Sequence, residues 1–227
     1  MSLFALSAIS GLLLLDTTAV LQSMVSQPLI SGAILGWFSG DLYTGLQIGF
    51  LLQLLWLGEL PVGAARIPEG NFGSLVGILF GLQYKPFEAE LGNVILLVAI
   101  VYALICSYFG LKMVTSIRTF NIRLFDRARR MTAAGNTKGL FLVNIAALLV
   151  RWAAAVIMVF ILVRLGVSLF DPLLPHLSPH WDQWARHVDV GILGAGAGLS
   201  LNLFRTKKQR AVIIAAAIAG GLLFFAV

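Results

Sequence analysis

From Gln27 to Asn71 the chain reads QPLISGAILGWFSGDLYTGLQIGFLLQLLWLGELPVGAARIPEGN, a stretch as apolar as a spanning helix yet broken by glycine, proline and charge. Few folds accommodate that mixture. No water is available at bilayer depth to satisfy exposed backbone, so broken helix is tolerated there only where it is buried in protein or lines a polar cavity. The segment predicts short helices around such a cavity, the kind of place where membrane transporters hold a solute.

The rest of the chain agrees with a membrane setting. With 59% hydrophobic and 11% charged residues and a mean hydropathy of +0.93, the chain lacks the polar surface a water-soluble core needs. The reading is an all-α polytopic membrane protein forming a single domain over residues 1–227, with a hairpin-rich half (1–83) and a half of transmembrane helices (91–227). A helical span takes about 20 apolar residues. Leu91 to Val114, Leu140 to Leu165 and, more briefly, Ala211 to Val227 approach that length, and a helix from Val190 to Phe204 is needed to return the chain between the last two. Ser2 to Gln22, Pro28 to Gly40, Leu42 to Leu57 and Phe72 to Leu82 are interrupted or short. Residues 22–83 therefore read as re-entrant helical hairpins. Met1 to Leu15 holds no Lys or Arg and Asp16 follows it, so the first segment reads as retained rather than as a cleaved signal peptide.

A formal charge of +6 would point a soluble protein toward nucleic acid, but here the distribution excludes that reading. Arg118, Arg123, Arg127, Arg129, Arg130 and Lys138 crowd a basic loop at 115–139, and RTKKQR occupies 205–210. Both flank membrane segments, so the positive-inside rule places them in the cytoplasm, with the lipid bilayer of the cell (inner) membrane around the chain. Asp171 to Val190 carries Asp171, Asp182, Asp189 and every histidine, and is placed outside.

Glycine spacing predicts close helix packing. Gly32, Gly36 and Gly40 share one helical face, as do Gly45 with Gly49 and Gly77 with Gly81. GILGAGAG at 191–198 has the look of a nucleotide-binding loop, but no strand precedes it, so packing is the better explanation.

Polar residues in apolar surroundings are the candidates for function. An acid at membrane depth costs a few kcal/mol unless paired or hydrated, so Asp16 and Asp41 face either a cavity, a partner or, for Asp41, the start of the helix it would cap. Gln53 has no local reason to be polar in GFLLQLLWLG, and Trp56 follows on a nearby face. A buried amide beside an aromatic suits a sugar, which needs paired donors and acceptors and a flat apolar surface; an interhelical hydrogen bond is the plain alternative. In PVGAARIPEGN, Pro61 and Pro68 deny backbone donors and the small residues let backbone approach a ligand. The candidate substrate-binding set is Gln53, Glu59, Arg66, Glu69 and Asn71. Arg66 and Glu69 are also close enough to pair with each other. Arg164 lies near a helix end and can snorkel, an explanation that serves Arg151 less well. His176, His180 and His187 sit with Trp181 and Trp184 in what reads as an interfacial loop, where Pro179 prevents a helical histidine pair. No metal, cofactor or catalytic residue is expected, since no nucleophile triad or phosphate loop occurs and Cys106 has no partner thiol.

Taken in order, PLI at Pro28–Ile30, LG at Leu35–Gly36, GD at Gly40–Asp41, TG at Thr44–Gly45, IG at Ile48–Gly49, LLQLLWLG, and GAA..P at Gly63–Pro68 resemble a known family over about sixty residues. That family is the IIC membrane component of the mannose/fructose/sorbose class of the bacterial sugar phosphotransferase system. The resemblance implies a sugar permease subunit, not an enzyme, that works in a hetero-oligomer with a IID membrane subunit and passes a hexose-like sugar inward for phosphorylation by a cytoplasmic IIAB protein. It also implies that Gln53 stands where the family commonly has Glu, and Glu69 where it commonly has Asp. Two rivals follow from the same residues: a non-transporting scaffold for regulatory phosphotransferase proteins, motivated by Gln53, and an ion-coupled secondary transporter using Asp16 or Asp41.

Overall fold

The computed structural model of the chain describes residues 1–17, 19–20, 22–57, 68–86, 90–203, 211 and 214–215. Seven α-helices follow in order among them: α1 (Leu3–Leu15), α2 (Pro28–Ser39), α3 (Leu42–Trp56), α4 (Gly70–Tyr84), α5 (Gly92–Ala133), α6 (Thr137–Phe170) and α7 (His180–Leu203), with a 3-10 turn at Leu174–His176. The described residues contain no strand. The expected last span, Ala211 to Val227, lies almost entirely outside them.

α5 and α6 are long and apolar enough to cross a membrane. α1, α2 and α3, at 13, 12 and 15 residues, are apolar but too short. At 1.5 Å per residue they reach roughly 18–23 Å, against about 30 Å of hydrocarbon.

The α2–α3 hairpin turns on Gly40, whose φ of 87° a side chain would strain. Asp41 then caps α3, accepting from the Thr44 N–H at 3.1 Å and from the Thr44 hydroxyl. Beyond the turn the backbones touch: a Cβ on Gly32 would run into the Gly45 carbonyl, one on Gly45 into the Gly32 carbonyl, and one on Gly49 into Pro28. The same device joins α4 to α5, where Gly73 and Gly77 lie on Ala99, Ala103 and Ser107.

α4 is the centre of the molecule. Every residue from Phe72 to Leu82 is buried, because α2 and α3 cover one side while α5 and α6 cover another. Its sequence shows only a short apolar run, since a helix enclosed by neighbours needs neither amphipathic period nor spanning length. α1 lies on α6, with Trp152 and Val156 over Gly11 and the Trp152 indole donating to the Ala8 carbonyl at 3.1 Å. Elements of the 1–83 region are thus packed directly against those of the 91–227 region.

Two expectations need correction. The basic stretch at 115–139 is not a loop through most of its length: α5 continues to Ala133, and the turn is confined to 134–136. Between Lys112 and Ala134 the chain offers arginine, leucine, methionine and alanine with no Gly or Pro, so nothing stops the helix until Gly135, at φ 65°. The histidine segment likewise is not simply a loop. α7 begins at His180, and the Trp184 indole donates to His180 Nε2 at 2.9 Å, one turn away.

α7 also performs a capping role that its sequence does not announce. α5 begins without a side-chain cap of its own; instead the Asp182 carboxylate accepts from the backbone N–H groups of Asn93 (2.7 Å) and Val94 (3.1 Å) and from the Asn93 amide (2.6 Å). This is an N-cap supplied in trans, with charge placed favourably at a helix N-terminus. Asp182→Ala is expected to destabilise the detergent-solubilised protein by about 1–2 kcal/mol in thermal unfolding, and Asp182→Asn by less. In the glycine-rich stretch of α7, Gly196 packs against Leu54, whereas a Cβ at Gly191, Gly194 or Gly198 would meet no described atom. Close packing there is the reading that holds for Gly196.

Candidate functional site

The described residues between Asp16 and Gln27 form a strap from α1 to α2 that ties polar groups of the core together. Asp16, 7% exposed, accepts four hydrogen bonds: from the Ser23 N–H (2.7 Å) and hydroxyl (2.9 Å), and from the Ser26 N–H and hydroxyl (both 3.3 Å). These bonds stabilise a strap in which Gln22 (φ 54°) and Met24 (φ 66°) take left-handed backbone conformations unusual for side-chain-bearing residues.

The far end of the strap meets α3 and α4. Gln53 Nε2 donates to Gln27 Oε1 at 3.1 Å, and Asn71 Nδ2 donates to Ser26 Oγ at 3.3 Å. Beside them the Trp56 indole donates to Ser74 Oγ at 3.0 Å, with its ring against Gly70. Gln53 therefore makes an interhelical bond, yet its Oε1 is buried and has no hydrogen-bond partner. An unpaired buried acceptor costs on the order of 1–3 kcal/mol, which a ligand hydroxyl would recover.

The near end of the strap borders a cavity of about 500 Å³. Glu69, at the start of α4, lines it together with Arg118 and Asn121 of α5, Asn144 and Arg151 of α6, and Ala19 of the strap. Helical periodicity brings these groups together, since Arg118 and Asn121 are three apart and Asn144 and Arg151 seven apart. The Glu69 backbone N–H donates to the Ser107 carbonyl at 3.0 Å, fixing α4 against α5. Arg151 Nη2 donates to Thr17 Oγ1 at 2.9 Å, tying α6 to the strap. Asn121 Oδ1 is buried without a partner. The lining thus offers one carboxylate, two guanidinium forks and two amides within a volume suited to a small polar ligand.

Of the residues proposed from the sequence, Gln53 and Asn71 lie on the strap contacts and Glu69 on the cavity. Glu59 and Arg66 fall outside the described residues, as does any pairing of Arg66 with Glu69. Both acids that could have coupled an ion are engaged locally, Asp41 as a helix cap and Asp16 in the strap. Sequence reasoning missed Ser26, Gln27, Arg118, Asn121 and Asn144 as site residues. Arg151 did leave a signal: a guanidinium in the middle of an apolar helix, too far from its ends to snorkel easily. Arg118 was concealed within a basic run of similar residues.

The family described as the sorbose-specific IIC component of the phosphotransferase system matches residues 1–223. The fructose permease IIC component of Bacillus subtilis is 25% identical, over 88% of this chain and 70% of that protein. The sorbose-specific EIIC component of Klebsiella pneumoniae is 24% identical, over 99% of this chain and 80% of its own. Among solved structures, the mannose transporter ManYZ in complex with microcin E492 superposes with a TM-score of 0.59 at 19% identity, covering 96% of this chain and 84% of the matched one. At that identity the likeness is one of fold.

Proposed function

We propose, from the premise that this chain belongs to the sorbose-specific IIC family of phosphotransferase-system components, that its polar cavity receives a hexose-like sugar on its way inward. Membership makes the chain an integral membrane subunit of a sugar permease that works with other phosphotransferase subunits, on which phosphoryl transfer takes place. The fructose and sorbose named for its relatives supply the hexose class.

The carrying observation is the convergence of Glu69, Asn121, Asn144 and Arg151 on one cavity. A hexose presents hydroxyls that each donate and accept, so it needs acceptors and donors facing one another, and these four provide both. Gln53 and Asn71 lie outside this lining, at the other end of the strap, where they would form a second polar contact for the sugar, Gln53 with an acceptor to spare. The α2–α3 hairpin, too short to span, enters the membrane partway on this reading. The basic end of α5 lies on the cytoplasmic side of the cell (inner) membrane by the positive-inside rule, and Arg118 of the cavity lining belongs to the same extension. A IID subunit completes the membrane assembly and a cytoplasmic IIAB protein phosphorylates the emerging sugar, the partners that family membership leads us to expect.

The test is uptake of labelled fructose, sorbose and mannose by cells expressing the chain with its IID and IIAB partners. Gln53→Ala and Asn71→Ala are each expected to raise the uptake KM about fivefold to tenfold, the weight of a hydrogen bond or two. Unchanged uptake and affinity in both would overturn their assignment. Retained IIAB binding with no saturable sugar binding would overturn the permease reading in favour of a scaffold.

A further inference from the structure

We propose that Asp16 is a positioning residue for sugar recognition: through Ser26 it holds the Asn71 carboxamide with its amino group toward the strap and its carbonyl oxygen free, so that this contact selects a sugar hydroxyl that donates. The inference rests on the reading of Asn71 as a sugar contact given above, and adds the orientation of that contact and the group that imposes it.

The direction of each hydrogen bond carries the argument. Asp16 and Ser26 are 7% and 3% exposed, so their polar atoms are satisfied by one another rather than by bulk water. A carboxylate accepts and cannot donate. The 3.3 Å bond between Ser26 Oγ and Asp16 Oδ2 therefore uses the one hydroxyl hydrogen that Ser26 has. Ser26 Oγ is left with lone pairs alone, and the Asn71 atom 3.3 Å from it must be the amino nitrogen, Nδ2. An amide turned over would set the lone pairs of Oδ1 against those of Ser26 in a buried place, so the surrounding network fixes which way the amide lies. Asn71 Oδ1 is the atom left over, and no described residue donates to it.

The other bonds of Asp16 suit it to this role. The Ser23 N–H and hydroxyl hold Oδ1 at 2.7 and 2.9 Å, and the Ser26 N–H joins the Ser26 hydroxyl on Oδ2. The carboxylate is thus anchored from both sides before it sets the direction of the Ser26 bond. Gln27 repeats the polarity one residue on: its Oε1 takes Gln53 Nε2, and Gln53 Oε1 stays buried without a partner. Both amides at this end of the strap offer carbonyl oxygens. A sugar hydroxyl can donate or accept, but only its hydrogen satisfies such an oxygen. Fluorine in place of that hydroxyl keeps the size and removes the hydrogen.

The test is competition by monodeoxyfluoro analogues of fructose and of mannose against uptake of the labelled parent sugar, in cells expressing the chain with its IID and IIAB partners. At least one analogue should compete about fivefold or more weakly than its parent sugar, the weight of one hydrogen bond, and Asn71→Ala should close that gap. Asp16→Asn should close the same gap: with its oxygen still serving Ser23, its amino group faces Ser26 and frees the Ser26 hydrogen, so the Asn71 amide can turn over. It should raise the uptake KM about fivefold with little change in maximal rate per amount of protein in the membrane. Ser26→Ala breaks the same relay while sparing the Ser23 bonds, and decides alone if Asp16→Asn does not fold. Asp16→Glu keeps the acceptor and should keep the gap. Adding Asp16→Asn to Asn71→Ala should raise KM by less than about twofold more, because both changes act on one contact. A gap that closes in Asn71→Ala but persists in Asp16→Asn and Ser26→Ala, KM losses that multiply in the double variant, or a fall in maximal rate alone would overturn the proposal and leave Asn71 in the sugar site. An unchanged KM in Asn71→Ala removes Asn71 from that site, and this inference with it.

Discussion

Gly45→Ala is expected to lower the thermal unfolding midpoint of the purified protein by roughly 6–12 °C, the equivalent of about 3 kcal/mol in a domain of this size. The added methyl points at the Gly32 carbonyl oxygen and at the Gly36 backbone, so no side chain can rotate away to make room. The whole α2–α3 hairpin must open. That movement also shifts Gln27, the residue preceding α2, away from Gln53, so sugar uptake should fall with stability. Gly45→Val enlarges the clash and should leave little folded protein. Gly194→Ala is the control: its Cβ meets no described atom, and replacing a helical glycine should be neutral or stabilise by up to about 1 kcal/mol. Equal midpoints for Gly45→Ala and the parent protein would show that the hairpin is not packed backbone to backbone.

The largest functional effect is expected at Glu69. Glu69→Ala should reduce uptake efficiency at least a hundredfold, because a carboxylate accepting two sugar hydroxyls contributes on the order of 3 kcal/mol or more through charge-assisted bonds. Removing it also leaves Arg118 and Arg151 without the carboxylate that shares their cavity. Glu69→Gln keeps the shape and one acceptor and should retain intermediate activity. Glu69→Asp keeps the charge on a shorter stem and should recover more of it. The ranking Asp above Gln above Ala, with unchanged elution on size exclusion, separates a ligand-binding role from a structural one. Uptake that is insensitive to all three substitutions would remove Glu69 from the site.

Much of this was legible in the sequence, for local reasons. The α2–α3 hairpin was visible because its glycines recur at helical spacing and Gly40–Asp41 combines a turn with a cap; both signals lie within a few residues of the groups they affect. Gln53, Glu69 and Asn71 were visible because polar atoms are costly among apolar neighbours. The continuation of α5 through the basic run is harder to read for a different reason: dense charge resembles a loop, although arginine, leucine and methionine are good helix formers and no breaker occurs before Gly135. The capping of α5 by Asp182 could not be read at all, since the two partners lie 89 positions apart.

The sequence by itself determined a helical membrane protein, its family, and the glycine-packed hairpin, because apolarity, breaker residues and short-range spacing act along the chain. Only the tertiary structure decided that the short α4 is the buried centre, that the strap from Asp16 binds Asn71 and Gln53 through Ser26 and Gln27, and that Glu69 shares a cavity with Arg118 and Arg151. Those placements depend on which helix faces meet, and burial, charge balance and hydrogen-bond partners at such meetings come from residues far apart in the chain, so no local pattern encodes them.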